Sequence, residues 1–133
     1  MGAAEVVGIR ARAQEETVCT TRVVHLRAVR LPSVLVDAEG PGWALELLIL
    51  SPTSNFAVRV TVDDRIVFDD PYSWFESVSP LLESVDAFSL DGAYALRLAG
   101  IAFRERLTVE AYPVAVPQAV SLAEVVCLLR LRR

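Results

Sequence analysis

At 133 residues, with a net charge of −4 and a pI near 5.0, the chain is the size of one ordinary domain, and a single unit spanning 1–133 is expected. Hydrophobic residues make up 53% and charged residues 23%, far from the composition of a disordered chain. The acidic balance argues against nucleic acid as principal ligand, because neutralising phosphates needs a basic face. No apolar run approaches the ~18 residues that cross a bilayer, so no transmembrane segment is expected.

The first residues, MGAAEVVGIRARAQEE, lack the basic start and apolar centre of a secretory signal. The chain is therefore expected either to stay where it is made or to leave by another route, such as inside a particle. All 13 basic residues are Arg, and Asn, Gln, Met and Cys are scarce. Depletion of heat-labile side chains fits a thermophilic source, while the missing Lys fits a GC-rich genome.

Along the chain, period-2 alternation dominates. Glu5 to Ala13 and Thr17 to Leu31 are rich in Val, Thr and Arg, and the second is long enough to bend and serve two sheets. Pro32, Gly40-Pro41 and Pro52 punctuate this half as turns. Trp43 to Leu50 contains the unbroken run Leu47-Leu48-Ile49-Leu50, which predicts a strand covered on both faces, either central in a sheet or under an interface. Phe56 to Val62 alternates cleanly, with Phe56, Val58, Val60 and Val62 on one side and Ala57, Arg59 and Thr61 on the other. Asp63-Asp64 then joins it to Arg65–Phe68 as a two-residue hairpin.

Asp70 followed by Pro71 reads as a helix N-cap and first helical position, giving about two turns over Tyr72 to Val78 before Pro80. Ala87–Leu90 and Ala93–Leu98 flank Asp91-Gly92, whose Gly tolerates the positive φ of a tight turn. Phe103 to Tyr112 alternates again, interrupted on its apolar side by Glu105. Ser121 to Arg132 opens like a capping box but continues as Val125-Val126-Cys127-Leu128-Leu129, and is taken as a final strand. Eight or nine short strands with regular turn signals predict an all-β antiparallel sandwich, jelly-roll-like or Ig-like, with one short helix. The ending Arg130-Leu131-Arg132-Arg133 reads as a solvated basic tail.

Equipment for chemistry is sparse. His25 is the only histidine and sits in the alternating run Val23–Arg27, facing solvent or a partner. A phosphate loop, a nucleophile elbow and a Cys-x-x-Cys pair are all missing from the sequence. No catalytic residue, metal ligand or cofactor is assigned, and the protein is not expected to be an enzyme. Cys19 and Cys127 lie near opposite ends and are either a disulfide between first and last strands or two free thiols. Asp63, Asp64, Asp69 and Asp70 are the densest charge cluster; Ca²⁺ ligation competes with their local use at a turn and a helix start. Tyr72, Trp74 and Phe75, together with Trp43, form the candidate contact surface. Three readings stay open for the 72–75 aromatics: a plug in one end of the sandwich, a subunit contact, or a platform for a ligand.

Asn55–Asp70, Tyr72-Ser73-Trp74, Ser79–Leu82 and Asp91–Leu96 together resemble small β-sandwich virion proteins of viruses that infect thermophilic archaea. The resemblance covers less than half of the chain and rests on hairpin grammar plus one capping helix. It implies a viral structural protein, a capsid, tail or other particle component that associates with its own copies through sheet edges and terminal segments (1–31 and 114–133). Homo-oligomers or other structural proteins are then the expected partners. The competing reading is a carbohydrate- or protein-binding module built on Trp43, Tyr72 and Trp74.

Overall fold

The computed structural model describes residues 19–115 and 118–132. Nine strands and one helix follow one another among these residues: β1 (Cys19–Arg30), β2 (Ser33–Glu39), β3 (Gly42–Ser51), β4 (Phe56–Val62), β5 (Arg65–Pro71), α1 (Tyr72–Val78), β6 (Val85–Leu90), β7 (Ala93–Phe103), β8 (Arg106–Pro113) and β9 (Ser121–Arg132). They form a five-stranded sheet, β1-β9-β3-β7-β6, and a four-stranded sheet, β2-β8-β4-β5, all pairs antiparallel. The expected all-β sandwich with one short helix is what the chain forms.

The strand order separates the two expected topologies. Leaving β6 aside, the chain behaves as one long hairpin whose arms pair β1 with β9, β2 with β8, β3 with β7 and β4 with β5. Rolling that hairpin sends alternate pairs to opposite sheets, which is the jelly-roll arrangement rather than the Ig-like one. β6 adds a fifth strand at the β7 edge.

Between the sheets, β4 contributes Phe56, Val58 and Val60, β3 contributes Leu47 and Ile49, β7 contributes Leu96 and Leu98, and β9 contributes Leu122, Val125, Cys127 and Leu129, all buried. One continuous core results. At one end, marked by Ser51, Phe56 and Tyr94, α1 closes the sandwich. Tyr72 and Phe75, three apart on one helix face, drop inward, Tyr72 to 5.5 Å from both Phe56 and Tyr94 and Phe75 to 5.6 Å from Phe68. At the opposite end Gly42 lets β3 approach β9: a Cβ there would stand 2.6 Å from the Arg130 carbonyl.

Several expected elements change. β1 pairs only with β9 and serves one sheet; the backbone turns at Pro32 and β2 enters the other. The strand expected over Phe103 to Tyr112 is two strands, because the chain turns at Arg104-Glu105 and crosses between sheets. Pro71, not Asp70, is the helix N-cap, and no side chain caps it. Asp70 instead lies in β5, where its carboxylate accepts from the Asp69 N–H at 3.3 Å. Residues 121–132 are a central strand and Arg130–Arg132 lie within it, so neither a basic tail nor a donor strand is found there. The expected strand at Glu5 to Ala13, the start of the segment from Thr17, and Arg133 fall outside the described residues.

Candidate association surface

Of the four aromatic residues expected to form a contact surface, the structure brings three together and hides two. Tyr72 is 1% exposed and Phe75 is fully buried, so neither side chain is presented at the surface of the chain. Trp74 is half-buried, 6.2 Å from Phe68 and 5.2 Å from Phe75. Trp43 is 39% exposed at the far end of the sandwich, on β3. The helix is thus a plug, because inward-facing positions three apart fill the gap between the sheets.

Cys19 and Cys127 do not form a disulfide. The register sets Cys19 opposite Arg132 and Cys127 opposite Val24. Five residues of strand, ~17 Å at ~3.3 Å per residue, separate them along the ladder, whereas a disulfide needs Cα atoms within ~7 Å. Burial pushes the Cys127 thiol up to about 11.

The acidic cluster is divided among local tasks. Asp63 and Asp64 both take positive φ (49° and 66°) and form the β4–β5 hairpin turn. The Asp63 carboxylate also accepts backbone N–H groups from Arg104 (2.9 Å), Glu105 (2.7 Å) and Arg106 (3.0 Å). These bonds hold its carboxyl below the usual carboxylate range. Asp69 accepts from the Tyr112 hydroxyl and from Arg59 Nε. Among the described residues no group of three His, Cys, Asp or Glu side chains is placed to hold a metal ion.

The outer faces of the two sheets differ in kind. On the four-stranded sheet, β4, β5 and β8 display Arg59, Asp69, Glu110 and Tyr112 as one network: Arg59 lies 3.2 Å from Asp69 and 3.5 Å from Glu110, with its guanidinium 5.5 Å from the Tyr112 ring centre. Arg106 makes a bidentate pair with Asp37 at 2.8 Å. Exposed apolar side chains of this sheet, Val34, Ile66 and Val67, belong to the two edge strands. Such a face is at home in water.

The five-stranded sheet carries an apolar stripe across its outer face. Because Leu47 and Ile49 point inward, Leu48 and Leu50 point out; the register places Leu48 between Val126 of β9 and Arg97 of β7, and Leu50 between Glu124 and Ala95. One row on, Val23 of β1 stands beside Leu128. At the other margin Phe88 pairs with Ala95 and Leu90 with Ala93. Val23 (57% exposed), Phe88 (43%) and Leu90 (65%) are open to solvent, while Leu48, Leu50, Val126 and Leu128 are half-buried. Comparison with protein-family models, with curated proteins and with solved structures finds no match.

Polar residues border this apolar stripe. His25 Nε2 lies 3.0 Å from Glu124 Oε1, with Arg27 3.4 Å from the same oxygen, and Arg97 Nε donates to Glu46 at 2.8 Å. The bond from His25 holds the Glu124 carboxyl below its usual range. The only histidine is thereby engaged in a surface hydrogen bond with Glu124. Composition and strand patterning do not reveal this stripe on their own, because its rows are assembled from strands distant in sequence; the consecutive Leu47–Leu50 run is the one local sign of it.

Proposed function

We propose that the protein is a non-enzymatic structural subunit that self-associates, a component of a capsid, tail or other virus particle. The observation that carries this reading is the apolar stripe (Val23, Leu128, Val126, Leu48, Leu50, Phe88, Leu90) across the outer face of the five-stranded sheet. An antiparallel sheet with one face on the core ordinarily turns a polar face to water, and contiguous exposed apolar patches mark association sites. Jelly rolls serve as viral capsid domains and also as lectins, so fold alone decides nothing. The weight falls on the surface.

Light scattering coupled to size exclusion, run across a wide concentration range, tests the proposal. A mass above that of one chain, rising with concentration, is the expected result. A strict monomer at the highest concentration overturns it. The rival reading as a carbohydrate- or protein-binding module rests on Trp43, which sits in a depression of about 290 Å³ with Pro41, Phe103 and Arg104. Of its other residues, Tyr72 is in the core, and Trp74 is half-buried against Phe68 and Phe75 at the other end of the sandwich.

A further inference from the structure

We infer that the depression beside Trp43 binds an acidic sugar, a single ring that carries one carboxylate. The site is independent of the self-association proposed above, and a chain that never associates would still hold it.

The depression forms where the chain is short of side chains. Gly40 and Gly42 flank Pro41, and a Cβ on either would press on the Phe103 ring, at 2.7 Å from Gly40 and 3.1 Å from Gly42. Phe103 itself is buried and closes the floor. Cross-strand partners share a face of the sheet, so Trp43 on β3 stands between Ala102 of β7 and Arg130 of β9. Ala102 contributes only a methyl group on its side, and the Trp43 side chain stays 39% exposed. An open indole beside a hollow of about 290 Å³ suits a ligand of one ring. Hollows of this size lie at the lower end of small-molecule sites, and an aromatic face takes up the apolar face of a flat ring.

Charge selects the kind of ring. Arg104 and Arg132 line the hollow, and Asp63 is the one acid among its lining residues. The Asp63 carboxylate is spent on the backbone N–H groups of Arg104, Glu105 and Arg106. Arg104, Arg130 and Arg132 are all exposed, and among the described residues none of them belongs to an ion pair. The adjoining hollow adds Arg65 and Glu105, which cancel. The lining therefore carries one net positive charge on a chain of −4, a local field that attracts an anion.

The same geometry favours a carboxylate over a phosphate. Backbone N–H groups that could cradle a phosphate at the 104–106 turn are already taken by Asp63. Anion binding falls to the guanidinium groups, whose planar fork matches a carboxylate. A phosphate monoester, with about two negative charges, would face the Asp63 carboxylate across a lining too weakly positive to offset it.

The test titrates glucuronate, and glucose as its neutral counterpart, into the full-length chain by ligand-observed NMR. The variants are Arg104→Gln, Arg132→Gln, Trp43→Ala and, outside the depression on β1, Arg27→Gln, each checked for folding by its thermal melt. Glucuronate is expected to bind with a dissociation constant on the order of 1 mM, the range of a one-ring ligand, and glucose at least about tenfold more weakly. Arg104→Gln and Arg132→Gln should each weaken glucuronate several-fold and narrow its lead over glucose. A folded Trp43→Ala should weaken both sugars, and Arg27→Gln neither. Should Trp43→Ala fail to fold, the two exposed Arg positions carry the test. Glucose binding as well as glucuronate overturns the inference, as does glucuronate affinity unchanged in both Arg104→Gln and Arg132→Gln. An equal loss in Arg27→Gln assigns the effect to the general field of the protein, and tighter binding of adenosine monophosphate assigns the hollow to phosphate esters; either result also overturns it. So does the absence of saturable glucuronate binding up to ~50 mM, far above the expected constant.

Discussion

Asp63 illustrates how much one side chain can hold in a sandwich of short connections. It supplies a left-handed hairpin residue for β4–β5 and, through its carboxylate, the acceptors for three N–H groups where β7 turns into β8. Replacing it by Ala leaves those donors to water and is expected to lower the melting temperature; Asp63→Asn, which keeps one acceptor, should lower it less. Because the folded-state carboxyl titrates below its ordinary value of 3.8, its contribution is complete above that value and is lost as pH falls through the lower folded one. The gap between wild type and Asp63→Asn should therefore close only in strong acid, which melts at stepped pH can follow. The thiols make a second residue-scale contrast. Cys127 is buried and raised to about 11, from 9.0, by desolvation, so folding favours its neutral form, and that contribution fades as pH rises from 9 through 11. A thiol reagent at pH 8 should modify Cys19 rapidly and Cys127 only once the chain is unfolded.

Turn chemistry made some elements legible and bulges concealed others. Asp91-Gly92 specifies its hairpin directly, and both residues take positive φ (49° and 78°). Nothing lies within 4 Å of a Cβ at Gly92, so Gly92→Ala should cost about 1 kcal/mol from backbone strain alone, measurable by denaturant unfolding. By contrast β2 offers no clean alternation: its register shifts between Val34 and Val36, and Leu35 and Val36 are both buried. A bulge of that kind erases the period-2 signal. Glu105, which interrupts the apolar side of its segment, proves to mark the turn between two strands. The short helix was readable from Pro71 and Pro80 because Pro punctuates, yet the destination of its aromatics was not, since it depends on how the sheets splay. Phe75 fills that end against Phe68 and Trp74, and Phe75→Ala is expected to cost about 3–5 kcal/mol in urea unfolding, a core-sized loss from a seven-residue helix.

For the whole molecule, a hydrophobic content of 53% does not say which apolar side chains stay at the surface. Leu48 and Leu50 announced a strand covered twice, but their neighbours Val126, Leu128 and Phe88 reach them only through cross-strand register, which a sequence does not display. Val23, Phe88 and Leu90 are exposed on one face of one sheet, while Val34, Ile66, Val67, Leu81, Leu82 and Val114 are exposed elsewhere; self-association through that face, as proposed, would make stability depend on concentration. A partner that binds only the folded chain stabilises it by mass action, by about 2.7 kcal/mol when its free concentration is a hundredfold above the dissociation constant. The melting temperature of the wild type should accordingly climb by several degrees over a hundredfold range of protein concentration, in scanning calorimetry or circular dichroism, and the melt of folded Leu48→Glu should not move. Salt separates the causes: association through Leu48, Leu50, Val126 and Leu128 holds or strengthens as ionic strength rises, whereas one carried by the Arg–Glu borders weakens as the Debye length shrinks below ~8 Å. A concentration-dependent melt that vanishes in high salt would assign the contact to the ion pairs at the margins, and one that persists assigns it to the aliphatic stripe between them.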